Sequence, residues 1–311
     1  MRVITQRSFG GPEVLEVTES ASPRTLPTEV LVRVRAIGLN PVEAVIRSGA
    51  FPLLGPPPFT LGWDISGVVE ESTPQTWRFR PGDEVFGMPF FPRAARGYAE
   101  LVAAPARQLA RKPTSIDHAQ AAALPLVGLT AWQGLVDLAT VKAGDRVLVH
   151  AGAGGVGHIA VQLAKWLGAY VITTASAAKR EFVTELGADE VIDYQRHDFA
   201  EAVDDVDVVL DTVGGDYGER SLPVLRPDGL LVTAVDRTNT VLAAKATAAG
   251  RRFAGIAVDP DHAALTRLAD LVDDGTLRIH VQARLPFEQV THAHRLLDQG
   301  HTQGKIVLII T

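Results

Sequence analysis

HAGAGGVGHIAVQLAKWLGAYVITTAS, residues 150–176, decides how this chain is read. Gly152, Gly154 and Gly157 fit G-x-G-x-x-G, with Gly155 and Val156 completing the turn. Val147, Leu148 and Val149 form a short strand before it. After it, Ile159, Ala160, Leu163, Ala164 and Leu167 share one helix face, and Gly168 stops that helix before a second strand, YVITTAS. Such a strand–turn–helix–strand unit has the length that cradles a dinucleotide. A pyrophosphate must approach the backbone closely, which only residues without Cβ permit, and it meets the unpaired N–H groups and positive dipole end of the new helix. The competing reading is a tight corner with no ligand, but four glycines in six residues weaken such a corner entropically without return.

The texture around this unit argues for two domains. Before residue 118 the chain is short and strand-like, with EVLVRVRAIGL, WDISGVVEE, PGDEVFGM and YAELVAA bounded by Gly, Pro or Asp, and with Pro-rich FPLLGPPPF (51–59) reading as a surface loop. From 119 to 255 apolar strands alternate with amphipathic helices through RVLVHA, YVITTAS, EVIDY, DVDVVLDTVGG and GLLVTAV, which predicts a parallel sheet with covering helices. Residues 256–311 carry two helical stretches, HAALTRLADLVDDG and FEQVTHAHRLLDQG, and end in the strand KIVLII. The expected division is 1–118 with 256–311 as one domain and 119–255 as the other.

Composition narrows the function classes. Of 311 residues, 46% are apolar and 21% charged, the balance of a globular chain with a sizeable core. The net charge is −6 and no Lys/Arg-rich run stands out, so a nucleic-acid partner is not expected. The N-terminus MRVITQRSFGGPEVLEV has no apolar signal segment, and no stretch of about 18 apolar residues suggests a membrane span, so a cytoplasmic location is expected. There is no cysteine, which removes disulfides, thiol nucleophiles and thiolate-bound zinc together. The histidines do not restore a metal site: His292 and His294 lie two apart in a helical stretch and face different ways, and His150 and His158 flank the turn as packed or capping residues.

The end of the second strand selects the cofactor. A site for NAD would place Asp or Glu about 20 residues past the glycines to hold the ribose 2′-OH. Here Thr174-Ala175-Ser176 is followed by Lys179 and Arg180, with no acid before Glu181. A hydroxyl followed by two cations suits a 2′-phosphate, so NADPH is the expected cofactor. The competing reading of Lys179 and Arg180 is a solvated helix start. Tyr194, ending EVIDY, is placed either against the same phosphate or adenine or as a packed aromatic.

These blocks together resemble the medium-chain dehydrogenase/reductase superfamily, and within it the zinc-free quinone oxidoreductase group that includes zeta-crystallin. The resemblance is carried by NPVEAVIRSG (40–49), TLGWDISGVV (60–69), PGDEVFG (81–87), GYAELVAAPA (97–106), AAALPLVGLTAWQGL (121–135), ELGADEVIDY (185–194), LDTVGG (210–215) and GKIVL (304–308). It implies an α/β chain in which a GroES-like, β-rich catalytic domain from both chain ends holds an inserted Rossmann domain, with the cofactor cleft between them. Where zinc alcohol dehydrogenases of that superfamily carry Cys and a His-Glu pair, this chain has Asn40 and Trp63-Asp64. Zinc-dependent alcohol oxidation is therefore disfavoured, since nothing else obvious stabilises an alkoxide.

The resemblance further implies that Asn40 and Thr130 sit beside the nicotinamide and the substrate oxygen, where an amide or hydroxyl stabilises developing negative charge. Glu43 stands where relatives often have Asp, lining the cleft or else exposed to solvent. Lys305 is expected near the cofactor phosphates, and the loops at Val213 and Ala234 over the cofactor. Val45 replaces an aromatic residue of some quinone reductases. No general acid stands out: Tyr98 is read as a structural residue of the barrel, with protons coming from solvent. The expected activity is hydride transfer from NADPH to a small-molecule quinone. Two alternatives stay open: reduction of enones or enoyl thioesters, and a non-catalytic NADPH-binding structural or regulatory protein. The segment GRRFAGIAV (250–258) offers a strand for pairing into a homodimer.

Overall fold

The computed structural model describes residues 1–311, which divide into two compact units. One comprises Met1–Leu129, Asp259–Gly275 and Ile279–Thr311, and the other Thr130–Val258 with Thr276–Arg278. The first unit thus runs past residue 118, taking in α2 (His118–Ala122) and the first turns of α3 (Pro125–Trp132).

In the first unit β1 (Arg2–Gln6) and β2 (Leu15–Glu19) form a two-stranded ribbon. The larger sheet is built from β3 (Glu29–Gly38), β4 (Asp64–Ser72), β5 (Glu84–Gly87), β6 (Leu101–Pro105) and β7 (Leu109–Arg111). It is joined from the far end of the chain by the last two strands, Val281–Pro286 and Lys305–Ile309. The final strand lies between Val281–Pro286 and β3, and β3 also pairs with β4 and β6. β3 is largely buried for this reason. Its neighbours leave no room at Gly38, where a Cβ would lie 2.1 Å from the carbonyl oxygen of Ala122. Helix α1 (Pro41–Ser48) follows β3, with Asn40 as its N-cap, Pro41 in its first turn and Gly49, at φ 88°, closing it.

The second unit is a parallel sheet of β8 (Arg146–Val149), β9 (Tyr170–Ala175), β10 (Glu190–Asp193), β11 (Val206–Asp211), β12 (Leu225–Thr233) and β13 (Arg252–Gly255). Their order is β10-β9-β8-β11-β12-β13. The chain fills one side of β8 and then jumps to the other, which makes the end of β8 the switch point where open α/β sheets bind ligands. Val147, Leu148 and Val149 are fully buried, as strands covered on both faces must be. Helix α4 (Gly155–Trp166) buries Ile159, Ala160, Leu163 and Ala164 as its periodicity predicts. Val161 and Gln162 are buried too, the latter because its amide bonds both the N–H and the carbonyl of Arg278. α5 (Arg180–Glu185), α6 (Phe199–Ala202), α7 (Tyr217–Arg220) and α8 (Thr240–Ala248) complete this unit. α9 (His262–Asp273) and α10 (Val290–Asp298) belong to the first. With the final pair of strands these become β14 (Val281–Pro286) and β15 (Lys305–Ile309). No helix is long and apolar enough to cross a membrane.

Candidate functional site

The glycines of the turn do different jobs. A Cβ on Gly152 would lie 2.0 Å from Thr173 Oγ1, and one on Gly157 2.1 Å from the carbonyl oxygen of Ala151, so both are demanded by the fold itself. A Cβ on Gly154 would meet only Ala151 O, at 3.2 Å, so this backbone lies open to an approaching group. Gly154 caps α4 without any side-chain cap, and the first i→i−4 bond is His158 N–H to the carbonyl of Gly154. The N–H groups of Gly155, Val156 and Gly157 precede that bond and form the unpaired first turn of the helix. The residues therefore fit a pyrophosphate.

The turn is held from behind by Thr174 and His150. Thr174 Oγ1 accepts from Ala151 N–H at 2.9 Å and faces His150 Nδ1 at 3.4 Å. His150 Nε2 meets Ser221 Oγ at 3.0 Å, and the ring stands edge-on to Phe199 and Tyr217. Burial, then the charge of Arg220, pushes His150 down to about 3, so it packs as a neutral ring. His158 is also buried, its Nδ1 3.0 Å from the carbonyl of Gly154. Both histidines flanking the turn are packed, as their positions predict.

The other expected cofactor residues of this unit follow the carboxyl ends of successive strands. Tyr194 follows β10 and is exposed; Ser176 follows β9 and starts the turn Ala177–Lys179; Val213 follows β11; Ala234 follows β12. Together with the turn after β8 they line one edge of the sheet in spatial order, where dinucleotides bind in this topology. Burial lowers the Lys179 ammonium from its ordinary value, and Arg180 reaches back to donate to the carbonyl of Val191 at 2.9 Å. Asp211, not recognised from sequence, shapes two of these loops. Its Oδ1 accepts from Val213 and Gly214 N–H, its Oδ2 from Thr233 Oγ1, and its carbonyl from Ala234 N–H. The Asp-Thr-Val-Gly-Gly run after an apolar strand is the signal that would have found it.

In the first unit Asn40, Glu43 and Lys305 come together with Asp64. Asn40 Nδ2 donates to Asp64 Oδ2 at 3.0 Å, and Asn40 Oδ1 accepts from Lys305 Nζ at 2.6 Å. Lys305 Nζ also lies 3.4 Å from Asp64 Oδ2, and Asp64 Oδ1 accepts from Leu126 N–H. Burial raises the Asp64 carboxyl and lowers the Lys305 ammonium, each opposed by the other's charge. Lys305, expected at the cofactor phosphates, is instead buried with its ammonium on Asn40 and Asp64. These two bonds fix the orientation of the Asn40 amide and leave its second Nδ2 hydrogen uncommitted by them.

Glu43 is neither a surface carboxylate nor solvated. Its Oε2 accepts from Asn40 N–H at 2.9 Å and from Tyr98 O–H at 2.7 Å, and burial, partly opposed by those bonds, pushes it up to about 7. Tyr98 is fully buried, with His294 Nε2 3.0 Å from its hydroxyl. Arg47 donates to His294 Nδ1 and, through Nη2, to both oxygens of Asp298. His292 is exposed and His294 buried, on different faces as expected. Val45 is exposed, and Thr130 is buried in α3 within the second unit.

No group of three or more His, Cys, Asp or Glu side chains is arranged to hold a metal ion. At the positions of the superfamily's zinc ligands, Trp63 Nε1 donates to the carbonyl of Arg93 and Asp64 spends both oxygens on Asn40, Lys305 and Leu126. These residues do not fit catalytic zinc.

Residues 26–114 match the alcohol dehydrogenase GroES-like domain family, and residues 186–308 the zinc-binding dehydrogenase family. The structure of a quinone oxidoreductase from Coxiella burnetii is 38% identical, covers 100% of this chain and 99% of its own, and superposes with a TM-score of 0.95. This chain belongs to the medium-chain dehydrogenase/reductase family. The zinc-binding description of its second match is a family label that the residues here do not bear out as a metal site. An Escherichia coli quinone oxidoreductase complexed with NADPH is 30% identical with full coverage of both chains and a TM-score of 0.88. The NADPH-dependent alkenal/one oxidoreductase of Arabidopsis thaliana chloroplasts is 34% identical over 99% of this chain and 79% of its own length. As a member of this family the protein is an oxidoreductase, with a GroES-like unit and a Rossmann unit.

Proposed function

We propose that this oxidoreductase uses NADPH, without zinc, to reduce a quinone. The observation that carries the cofactor is the turn after β8: the open backbone at Gly154 and the helix start without a side-chain cap lie at the switch point of the sheet. When bound, the dihydronicotinamide supplies the hydride. Gly154, Gly155, Val156 and Gly157 hold the pyrophosphate; Ser176, Lys179 and Arg180 meet the 2′-phosphate; Tyr194, Val213 and Ala234 cover the adenosine and the bridging groups. Asn40 and Thr130 orient the nicotinamide and the acceptor oxygen. Lys305 acts from behind Asn40, fixing its amide rather than binding phosphate.

The quinone assignment is supported by relatives from two bacteria bearing that activity in their names. A second reading, reduction of an activated carbon–carbon double bond, is favoured by the Arabidopsis relative and by Val45, which puts an aliphatic side chain where stacking on a quinone would call for a ring. NADPH oxidation followed at 340 nm with a quinone and an enone in parallel, and NADH as control, separates them. Turnover of the quinone with NADPH preferred supports the first reading; turnover of the enone alone replaces it; binding of NADPH without turnover of either refutes both. β13 is the edge strand of its sheet and offers its free side to a second copy of the chain, giving a homodimer. A monomer by light scattering at micromolar concentration would rule that pairing out.

A further inference from the structure

The first unit carries a groove of about 600 Å³, lined from β1, the linker after β2, the loop before β6 and β6 itself. All of its lining residues fall within Met1–Leu129, so that unit forms it alone. Val3, Phe59 and Leu101 supply apolar wall, and Ala99 and Ala103 keep it wide because their side chains end at Cβ. Leu26, which also lines it, is 62% exposed.

The backbone along this groove is a strand edge with one side open. β6 pairs with β3 and with no other strand. The bonds from Val34 N–H to the carbonyl of Glu100 and from Ala106 N–H to that of Thr28 bracket the pairs Val32 with Val102 and Val30 with Ala104. The even-numbered residues of β6 therefore carry the ladder to β3. Leu101 and Ala103 turn their N–H and C=O groups the other way, where no group of the chain bonds them. β1 fills that side only as far as Glu100, whose N–H donates to the carbonyl of Arg2. Pro105, the next outward position, has no N–H. The open ladder is thus short, sized for a few residues of extended chain rather than for another sheet.

Charge narrows what fits. Arg24 and Arg96 line the groove, both exposed and neither with a carboxylate partner. Glu29 is the one acid of the lining, and it is buried with its Oε2 accepting from Leu26 N–H. In a chain of net charge −6 the groove therefore presents two unspent cations. Arg96 and Phe90, which also lines the groove, hold φ of 56° and 62°, left-handed values that bulky residues rarely adopt and that gather at binding sites. Their loop is pinned by Phe90 N–H on Gln108 Oε1, Trp63 Nε1 on the carbonyl of Arg93 and Gly97 N–H on that of Gly62, so Arg96 is presented from a fixed frame.

We propose that this groove docks an extended acidic segment of a partner protein, which adds to the open edge of β6 and pairs its carboxylates with Arg24 and Arg96. Backbone bonds to Leu101 and Ala103 give the segment affinity, and the arginines give it a sequence preference, as in other strand additions. An extended segment offers donors and acceptors at the spacing of the edge, which a small anion does not, and its apolar side chains cover Leu26 and the wall. The site lies apart from the cofactor edge and does not rest on the reductase reading.

The test pans a phage-displayed library of random peptides, about seven residues long, on the full chain and again on the Arg24→Gln/Arg96→Gln double variant. Both side chains are exposed, so an unchanged Tm is expected; should Arg96, at its positive φ, prove sensitive, Arg24→Gln alone carries the comparison. The wild-type chain should enrich peptides that carry Asp or Glu and lack Pro at alternate positions, and the variant should not. A selected peptide, made synthetically, should bind each single variant about tenfold more weakly, and should lose about tenfold on the wild-type chain when its acid is replaced by the amide. Its binding should slow hydrogen exchange at Leu101 and Ala103. Failure to enrich any peptide, enrichment of the same peptides by the variant, or protection confined to other segments overturns the proposal. Displacement of the peptide by glutarate at an equal concentration also overturns it, because the groove would then be a site for a small carboxylate.

Discussion

Replacing Glu43 by glutamine changes how stability depends on pH, and the structure gives the size. Burial raises this carboxyl from its ordinary 4.5 to about 7 in the folded protein. Between those values the folded chain holds a proton that the unfolded chain has released, so stability falls as pH rises, by about 1.4 kcal/mol per pH unit for one group. The contribution is fully present below 4.5 and lost as pH passes about 7, a total of about 3 kcal/mol. Glutamine cannot ionise and leaves only a fixed offset from its extra amide hydrogens. The stability of Glu43→Gln minus that of wild type should therefore climb by about 3 kcal/mol between about pH 4.5 and about pH 8. Urea unfolding read by pulsed deuterium labelling of β3 and β4 peptides reports on the unit that contains Glu43. Parallel stability curves for the two proteins over that range would refute the reasoning, because they would mean that Glu43 is ionised at its ordinary pH despite its burial.

Four further substitutions test the cofactor edge. Gly157→Ala drives a Cβ into the carbonyl of Ala151 and should lower Tm by about 5 °C or more, whereas Gly154→Ala should keep Tm near wild type and raise the NADPH Kd about tenfold, as calorimetry would show. Lys179→Ala should weaken NADPH about tenfold and leave NADH unchanged in a fluorescence titration, since one charge-assisted bond to the 2′-phosphate is removed; equal weakening of both cofactors would place Lys179 elsewhere. Asp211→Ala strands the N–H groups of Val213 and Gly214 and the Thr233 hydroxyl and should cost about 2–3 kcal/mol in chemical denaturation, with weaker NADPH binding.

What was legible in the sequence was local. The glycine turn, the buried face of α4 and the alternation of strands and helices each depend on neighbours within a few residues, and the parallel sheet and its switch point follow from them. Lys305 shows the limit. Its ammonium is positioned by Asn40 and Asp64, which lie 265 and 241 residues away in sequence, and no spacing rule connects them. Glu43 was noticed for its position but not for its burial, because the phenol and amide that hold it come from Tyr98 and from the backbone of Asn40 at the start of a helix. The role of Thr174 was likewise hidden, because its hydroxyl accepts from Ala151 N–H across the sheet rather than along the chain.

The place of β15 has a consequence for synthesis. This strand comprises Lys305–Ile309 and is synthesised after every other strand of the two sheets, yet it lies between β14 and β3 inside the larger sheet of the first unit. Nearly the whole Rossmann unit, Thr130–Val258, emerges earlier and can fold while the first 129 residues wait with β3 lacking one of its neighbours. An apolar strand edge is therefore exposed throughout translation of the remaining chain, and the long sequence separation of its partner makes closure slow. Nascent chains stalled shortly before Lys305 should carry a finished nucleotide-binding unit and an incomplete larger sheet, and they are the species most in need of a chaperone.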